Sequence, residues 1–311
     1  MNTLEESIRD NAIYSKDSYK ETDVASFLSD FKITKKYAGQ LSRVFEVEKT
    51  NWLVKEAKWD VKFEPFKPGL TIPSKIAAFL DNLLGQLAFS FLPKKKEILR
   101  QYELYLLFSQ YFGFFDSDKR YYHPDREVIS LAQVSIRDTL LNYRVQLEEF
   151  YNIKLDDKIN LLHEDKDIRY HNFLPKEYLL AGKSISKQNK GRVTSFIFQE
   201  FVKGDLLHDV DEMVVSKDQK LRLVLMMYLL LLMNMQTGVV PDTRPRYNFF
   251  QAYNWLTKTD NVIISKNDVK FIDTRWFYDT KNFSYLILPS VIPKLAIRKA
   301  KTSINKILKT I

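Results

Sequence analysis

Asn261-Val262-Ile263-Ile264-Ser265-Lys266-Asn267-Asp268-Val269-Lys270-Phe271-Ile272-Asp273 is the stretch on which the fold turns. Two short β-branched apolar runs, 261–265 and 269–272, flank an Asn-Asp pair, a pattern that predicts a hairpin closed by 266–268. Its polar ends matter as much as its apolar body. Asn261 opens one strand and Asp273 ends the other, so the hairpin carries an amide and a carboxylate towards one edge. Upstream, an uncharged apolar run over 223–235 predicts a buried helix across 218–236, stopped by Gly238. That run falls short of the ~17–25 residues needed to span a bilayer.

Further from the hairpin, 178–181 and 193–202 read as strands flanking a polar turn at 183–192. Residues 31–37, 44–47 and 52–55 alternate in polarity and read as an antiparallel meander. Helical spacing marks 73–92 (Pro73, with Ser74 as cap), 94–110 (ended by Gly113) and 125–165. Residues 1–30 read as a helical, acidic-polar arm at the periphery, and 290–311 as a basic amphipathic helix. Strands thus come first, interrupted by helices, and a helical region holding one hairpin comes last. That segregated order predicts an α+β fold in two lobes rather than an alternating βαβ fold. The expected division is 1–30 as N-terminal arm, 31–202 as a sheet lobe with helical insertions about 73–92 and 114–172, and 203–311 as a compact helical lobe.

Composition bounds the function. The 311 residues are 45 % hydrophobic and 14 % aromatic, too apolar for a disordered chain. Lysine and arginine number 48 against 39 acids, a formal charge of +9 that favours phosphate-bearing partners. The charge is spread along the chain apart from Lys94–Lys96 and the tail, so it serves solubility equally well. The absence of cysteine excludes disulfides and thiolate metal sites and fits a reducing compartment. The first residues lack the basic start and apolar run of a secretory signal, and a cytoplasmic location is expected. The four histidines have no ligand spacing, and no Gly-x-Ser-x-Gly or Walker-type run occurs.

Phosphoryl transfer asks for positioning and charge neutralisation, and the sequence offers the parts in a workable order. Lys55 ends the apolar strand Trp52-Leu53-Val54-Lys55, 16 residues after Gly39, whose turn can cover phosphates. Lys55 is equally an ordinary surface lysine on a period-2 strand. Glu103, on the helix 94–110, can hold that lysine extended, with Glu97 as its rival on another face; an acid on a basic helix also serves as a plain partner of Arg100. Asn261 and Asp273 supply oxygen ligands of the kind magnesium uses, or else bound a hairpin. Asp242, in Val239-Val240-Pro241-Asp242, follows the buried helix and can orient or deprotonate an acceptor hydroxyl.

Taken together, these segments resemble the protein-kinase-like superfamily, especially its bacterial branch of aminoglycoside and other small-molecule phosphotransferases. The likeness runs from about Phe31 to Asp273. Ile197-Phe198-Gln199-Glu200-Phe201-Val202-Lys203-Gly204 resembles the strand and hinge that carry adenine. The resemblance implies a two-lobed fold binding ATP and Mg2+. It implies Gln199 in the gatekeeper place and the backbone of Glu200 and Val202 bonding the base. Lys55 then takes the phosphate-binding lysine, Glu103 its helix partner, Asp242 the catalytic aspartate, and Asn261 and Asp273 the metal ligands. The sequence departs from the family in several places. Asn261 lies 19 positions after Asp242, which makes 244–259 an insertion, and Thr274-Arg275 follows Asp273. One glycine marks the phosphate loop, and 38 residues remain after Asp273, little for a peptide-docking lobe.

The expectation is an ATP-dependent phosphotransferase with a nucleotide partner and an unidentified acceptor, small molecule ahead of protein. A catalytically impaired pseudokinase or interaction module is the alternative, and a nucleotidyl transferase is a variant of the enzyme. A basic binder of nucleic acid or membrane is the third reading, with nucleic acid disfavoured. The tail, with Ile297, Ile304, Leu308 and Ile311 on one side, either packs on the second lobe or lies on an anionic membrane.

Overall fold

The computed structural model describes residues 4–38, 42–57, 94–112, 142–154, 173–186, 191–207, 209–241, 261–266, 268–272, 277–279, 297, 300–302 and 304–310. The chain is mixed α+β, as expected. The helix expected over 73–92 and the 114–172 insertion, apart from 142–154, lie outside the described residues.

A six-stranded sheet is built from β1 (Glu21–Thr22), β2 (Ile33–Ala38), β3 (Ser42–Val47), β4 (Trp52–Ala57), β5 (Glu177–Lys183) and β6 (Val193–Glu200), in the order β1-β5-β6-β4-β3-β2. β2, β3 and β4 form the expected meander, and β6 pairs antiparallel with both β4 and β5. Between β4 and β5 the chain forms α3 (Lys94–Phe112), which covers one face of the sheet. There Ile98 and Tyr102 pack with Leu179, Ala181 and Ile197. The opposite face presents Trp52, Val54, Tyr178, Leu180, Phe196 and Phe198, all buried, as strand alternation requires.

That opposite face corrects one expectation. Residues 4–30 are neither wholly helical nor peripheral. α1 (Leu4–Asn11) and α2 (Val24–Leu28) bury Leu4, Ile8, Val24 and Leu28 in the same core as the sheet, and the Phe27 ring packs tilted at 5.7 Å from Phe198. Between them β1 joins the sheet edge in parallel with β5. Gly182 makes this possible, since a Cβ there would lie 2.4 Å from the Thr22 carbonyl oxygen.

The second region centres on α5 (Lys217–Thr237). Its first turn is closed by a capping box between Ser216 and Gln219, and it ends at Gly238, whose φ of 77° suits glycine. Every residue from Leu221 to Asn234 is buried, so this helix is the core of the region. Around it lie α4 (Arg144–Tyr151), the antiparallel pair β8 (Val239–Pro241) with β11 (Phe277–Asp279), and a three-stranded sheet. That sheet is β7 (Asp205–Leu206), β9 (Val262–Ile264) and β10 (Val269–Phe271), with β9 central. β9 and β10 are the hairpin the sequence announces. The tail is helical over 304–308, and Ala300, Ile304 and Leu308 are buried in the core. Those three apolar residues are thereby turned inward. No described helix is long and apolar enough to cross a membrane.

Candidate functional site

Register places three polar side chains on the α3 face of the sheet. Lys55 lies opposite Ile197 on β6, and Gln199 lies between Leu53 on β4 and Glu177 on β5. Partners in register project from the same face, so Lys55, Gln199 and Glu177 share it. Gln199 is 2 % exposed and Glu177 1 %, which makes this a dry polar cluster needing internal partners.

The partners come from the far end of the hairpin. The Gln199 Nε2 donates to the Glu177 carboxylate and, at 3.0 Å, to the Ile272 carbonyl. The Lys55 ammonium donates to that same carbonyl. The Ile272 amide in turn donates to the Asn261 carbonyl at 2.8 Å. Lys55, Gln199 and Asn261, all expected site residues, are therefore brought together around Ile272, the residue preceding Asp273. Tyr105 of α3 reaches the group as well, its hydroxyl donating to the Glu177 carbonyl at 3.0 Å.

The segment leaving β6 ties the two regions. Glu200 donates its amide to Lys176 at 2.7 Å and Phe201 donates to Asn51 at 2.6 Å. Of its two backbone groups, Glu200 thus has only the carbonyl to offer a bound base. Gly204 then passes so close to β9 that a Cβ would lie 2.4 Å from the Ile264 carbonyl oxygen. β7 follows at once, with Leu206 opposite Ile263. Val44 and Leu53 share the α3 face of the sheet with Lys55 and Gln199, and Leu206 and Ile263 pair across β7 and β9; all four are half-buried. On β10 Lys270 is bonded to Asp268 at 3.2 Å, and Arg222 lies 3.4 Å from the same carboxylate. Burial holds the Lys270 pKa below its usual value, against the pull of the Asp268 and Glu200 charges.

Glu103 is a correction. It is bound to Lys16 at 2.6 Å on the outer surface, half exposed, and does not hold Lys55. Helical phase explains why. Ile98, Tyr102, Phe108 and Phe112 define the buried side of α3, and Glu103 lies away from them. Glu97, its rival, is 8 % exposed and stands one turn ahead of Gln101 on the inward side. Further along, Phe108 packs 5.1 Å from Phe271, so α3 runs from the sheet to the hairpin.

Gly39, Asp242 and Asp273 lie outside the described residues. The chain reaches Asp242 directly from β8 and Asp273 directly from Ile272. Val202 is half-buried on the connecting segment. Among the described residues no three His, Asp or Glu side chains are grouped to hold a metal ion. Asn261 is thus the one described member of the expected magnesium pair. Glu177 is the residue that sequence reasoning missed. Its signal is a carboxylate opening the apolar run Tyr178-Leu179-Leu180-Ala181, where only a partnered acid is tolerated. The sequence matches no known protein-family model and no curated protein.

Proposed function

We propose that this chain binds MgATP between the six-stranded sheet and the β9–β10 hairpin and transfers its terminal phosphoryl group to a small-molecule acceptor. One observation carries the reading: Lys55 and Gln199, remote in sequence from the hairpin, both bond the carbonyl of Ile272, one residue before Asp273. Lys55 stands on the third strand of the meander, and α3 follows it in sequence. A kinase-like phosphate lysine occupies such a strand ahead of such a helix. On this reading the sheet and the α5 region are the two lobes of a divergent kinase-like fold, and 200–206 is the hinge.

The residues present suit the ligand's chemistry. Leu53 and Val44 above, and Ile263 below, offer a base two apolar surfaces, with the Glu200 carbonyl and Val202 at its edge. Lys55 exchanges the Ile272 carbonyl for phosphate oxygens, under the turn at Gly39. Asn261 and Asp273 would hold magnesium, which neutralises charge on the phosphates. Asp242, at the end of β8, takes the acceptor side. Glu97 replaces Glu103 as the helix carboxylate for Lys55. The chain works, in this account, as a cytoplasmic small-molecule kinase.

The test is ligand-linked stability. A ligand at 100 times its Kd raises unfolding free energy by about 2.7 kcal/mol, so MgATP is expected to raise the melting temperature of the wild type. Lys55→Met and Asp273→Ala are expected to remove that rise while keeping the ligand-free melting temperature. A wild type indifferent to MgATP up to millimolar concentration sinks the reading. A second reading, a pseudokinase that binds nucleotide without transfer, is favoured by the outward Lys16–Glu103 pair. Nucleotide binding with no phosphate released over hours selects it.

A further inference from the structure

We propose that Glu177 is a positioning residue: through Gln199 it fixes the carbonyl of Ile272, and so the chain that continues into Asp273. This rests on the nucleotide reading above and adds to it a carboxylate borne by a strand rather than by α3.

The argument begins with donor arithmetic. A glutamine amide has two N–H donors at one end and an acceptor at the other. The Nε2 of Gln199 meets two acceptors, the Glu177 carboxylate and the Ile272 carbonyl. Turned the other way, the amide would set its oxygen against both, leaving three acceptors facing each other beside two buried side chains. Glu177 therefore decides which end of the amide faces the hairpin. Because the two residues are directly opposed in register, the choice is made by the strand pairing itself.

Next comes the division of labour at Ile272. Its amide is already committed to Asn261, so its carbonyl is the group that docks the hairpin's end to the sheet. That oxygen accepts from Lys55 and from Gln199. A lysine ammonium sits on a flexible stem and can leave for a phosphate. Gln199, short and buried, cannot follow. When Lys55 turns to phosphate, the Gln199 bond remains and keeps Ile272 in place. Stability alone gives little reason for the arrangement, since an apolar pair of similar volume does as well or better in such a site.

The experiment compares the affinities of adenosine and MgATP, each by calorimetry, in the wild type, Glu177→Leu, Gln199→Leu, their double variant and Glu177→Gln. Adenosine reports the base site, and the ratio of the two affinities reports the phosphate end. Glu177→Leu is expected to bind adenosine within twofold of wild type and to lose about tenfold in MgATP affinity, the scale of one buried hydrogen bond. Glu177→Gln, which still offers an oxygen to Gln199, is expected to restore the ratio. The double variant is expected to lose no more than Glu177→Leu alone. An unchanged ratio in Glu177→Leu, or adenosine and MgATP weakening in step, overturns the positioning role. Should Glu177→Leu fail to fold, the ratio in Glu177→Met, which fills the same length without an acceptor, decides by the same criterion. A wild type that binds neither ligand overturns the nucleotide reading itself.

Discussion

Glu56 occupies an unusual place for a carboxylate. It is fully buried on β4, on the face away from the candidate site, with Arg43 opposite it in register and the Ser184 hydroxyl donating to it. Burial pushes its pKa above 4.5, outweighing Ser184 and Arg43, which pull it down. Between the unfolded and folded values the folded protein therefore holds a proton that the unfolded chain has released. This stabilising contribution is complete below about pH 4.5 and is lost as pH rises through the folded value. Glu56→Gln keeps an acceptor for Ser184 and carries no charge. Urea unfolding from pH 4 to 7 should show the variant gaining on the wild type as pH rises; a difference flat across that range refutes the burial argument. The residue scale also shows why parts of the candidate site were legible. Lys55, Gln199 and Asn261 stand out as polar groups at the ends of apolar strands. Glu177 does the same, yet its meaning depends on lying opposite Gln199, and strand register is not written in either segment alone.

Elements were legible where local chemistry closes them. α5 is bounded by signals in its own sequence: an apolar run, a capping residue and a glycine stop. Ser216→Ala removes the hydroxyl that accepts from Gln219 at 3.2 Å. It should cost about 1 kcal/mol in denaturant unfolding without changing the slope with denaturant. A cost near zero would mean that core packing alone sets the start of this helix. α3 is the contrasting case. Its existence and length were readable, but its inward face was not, because apolar residues occur all around it: Leu104, Leu107 and Tyr111 are half-buried beside the buried Ile98, Tyr102, Phe108 and Phe112. With no polar stripe to mark the phase, Glu103 and Glu97 could not be ranked from spacing. Only the packing of α3 across both sheet and hairpin orders them. β1 was hidden for a related reason. Two residues have no periodicity, and Glu21-Thr22 becomes a strand because Gly182 lets it approach β5.

At the scale of the whole molecule, residues 4–30 act as an outer layer of the sheet. Ile13 donates its amide to Leu179 at 2.8 Å, Lys176 is paired with Glu5, and Ile8 of α1 is fully buried. Without this layer, Phe198 would lose the Phe27 ring that packs against it. The arm also touches α3, through Lys16 on Glu103 and through the Tyr102 hydroxyl donating to the Tyr14 carbonyl. It thus bridges the sheet and the helix that flanks the candidate site. Two substitutions separate integral packing from surface attachment. Ile8→Ala empties a buried position and should destabilise the whole protein by about 2–5 kcal/mol, in one cooperative transition. Lys16→Ala removes an exposed ion pair and should leave the unfolding midpoint close to that of the wild type. If the arm were a loose appendage, Ile8→Ala would stay within about 0.5 kcal/mol of wild type. That outcome, or an early separate transition for the arm, would detach residues 4–30 from the core to which the structure joins them.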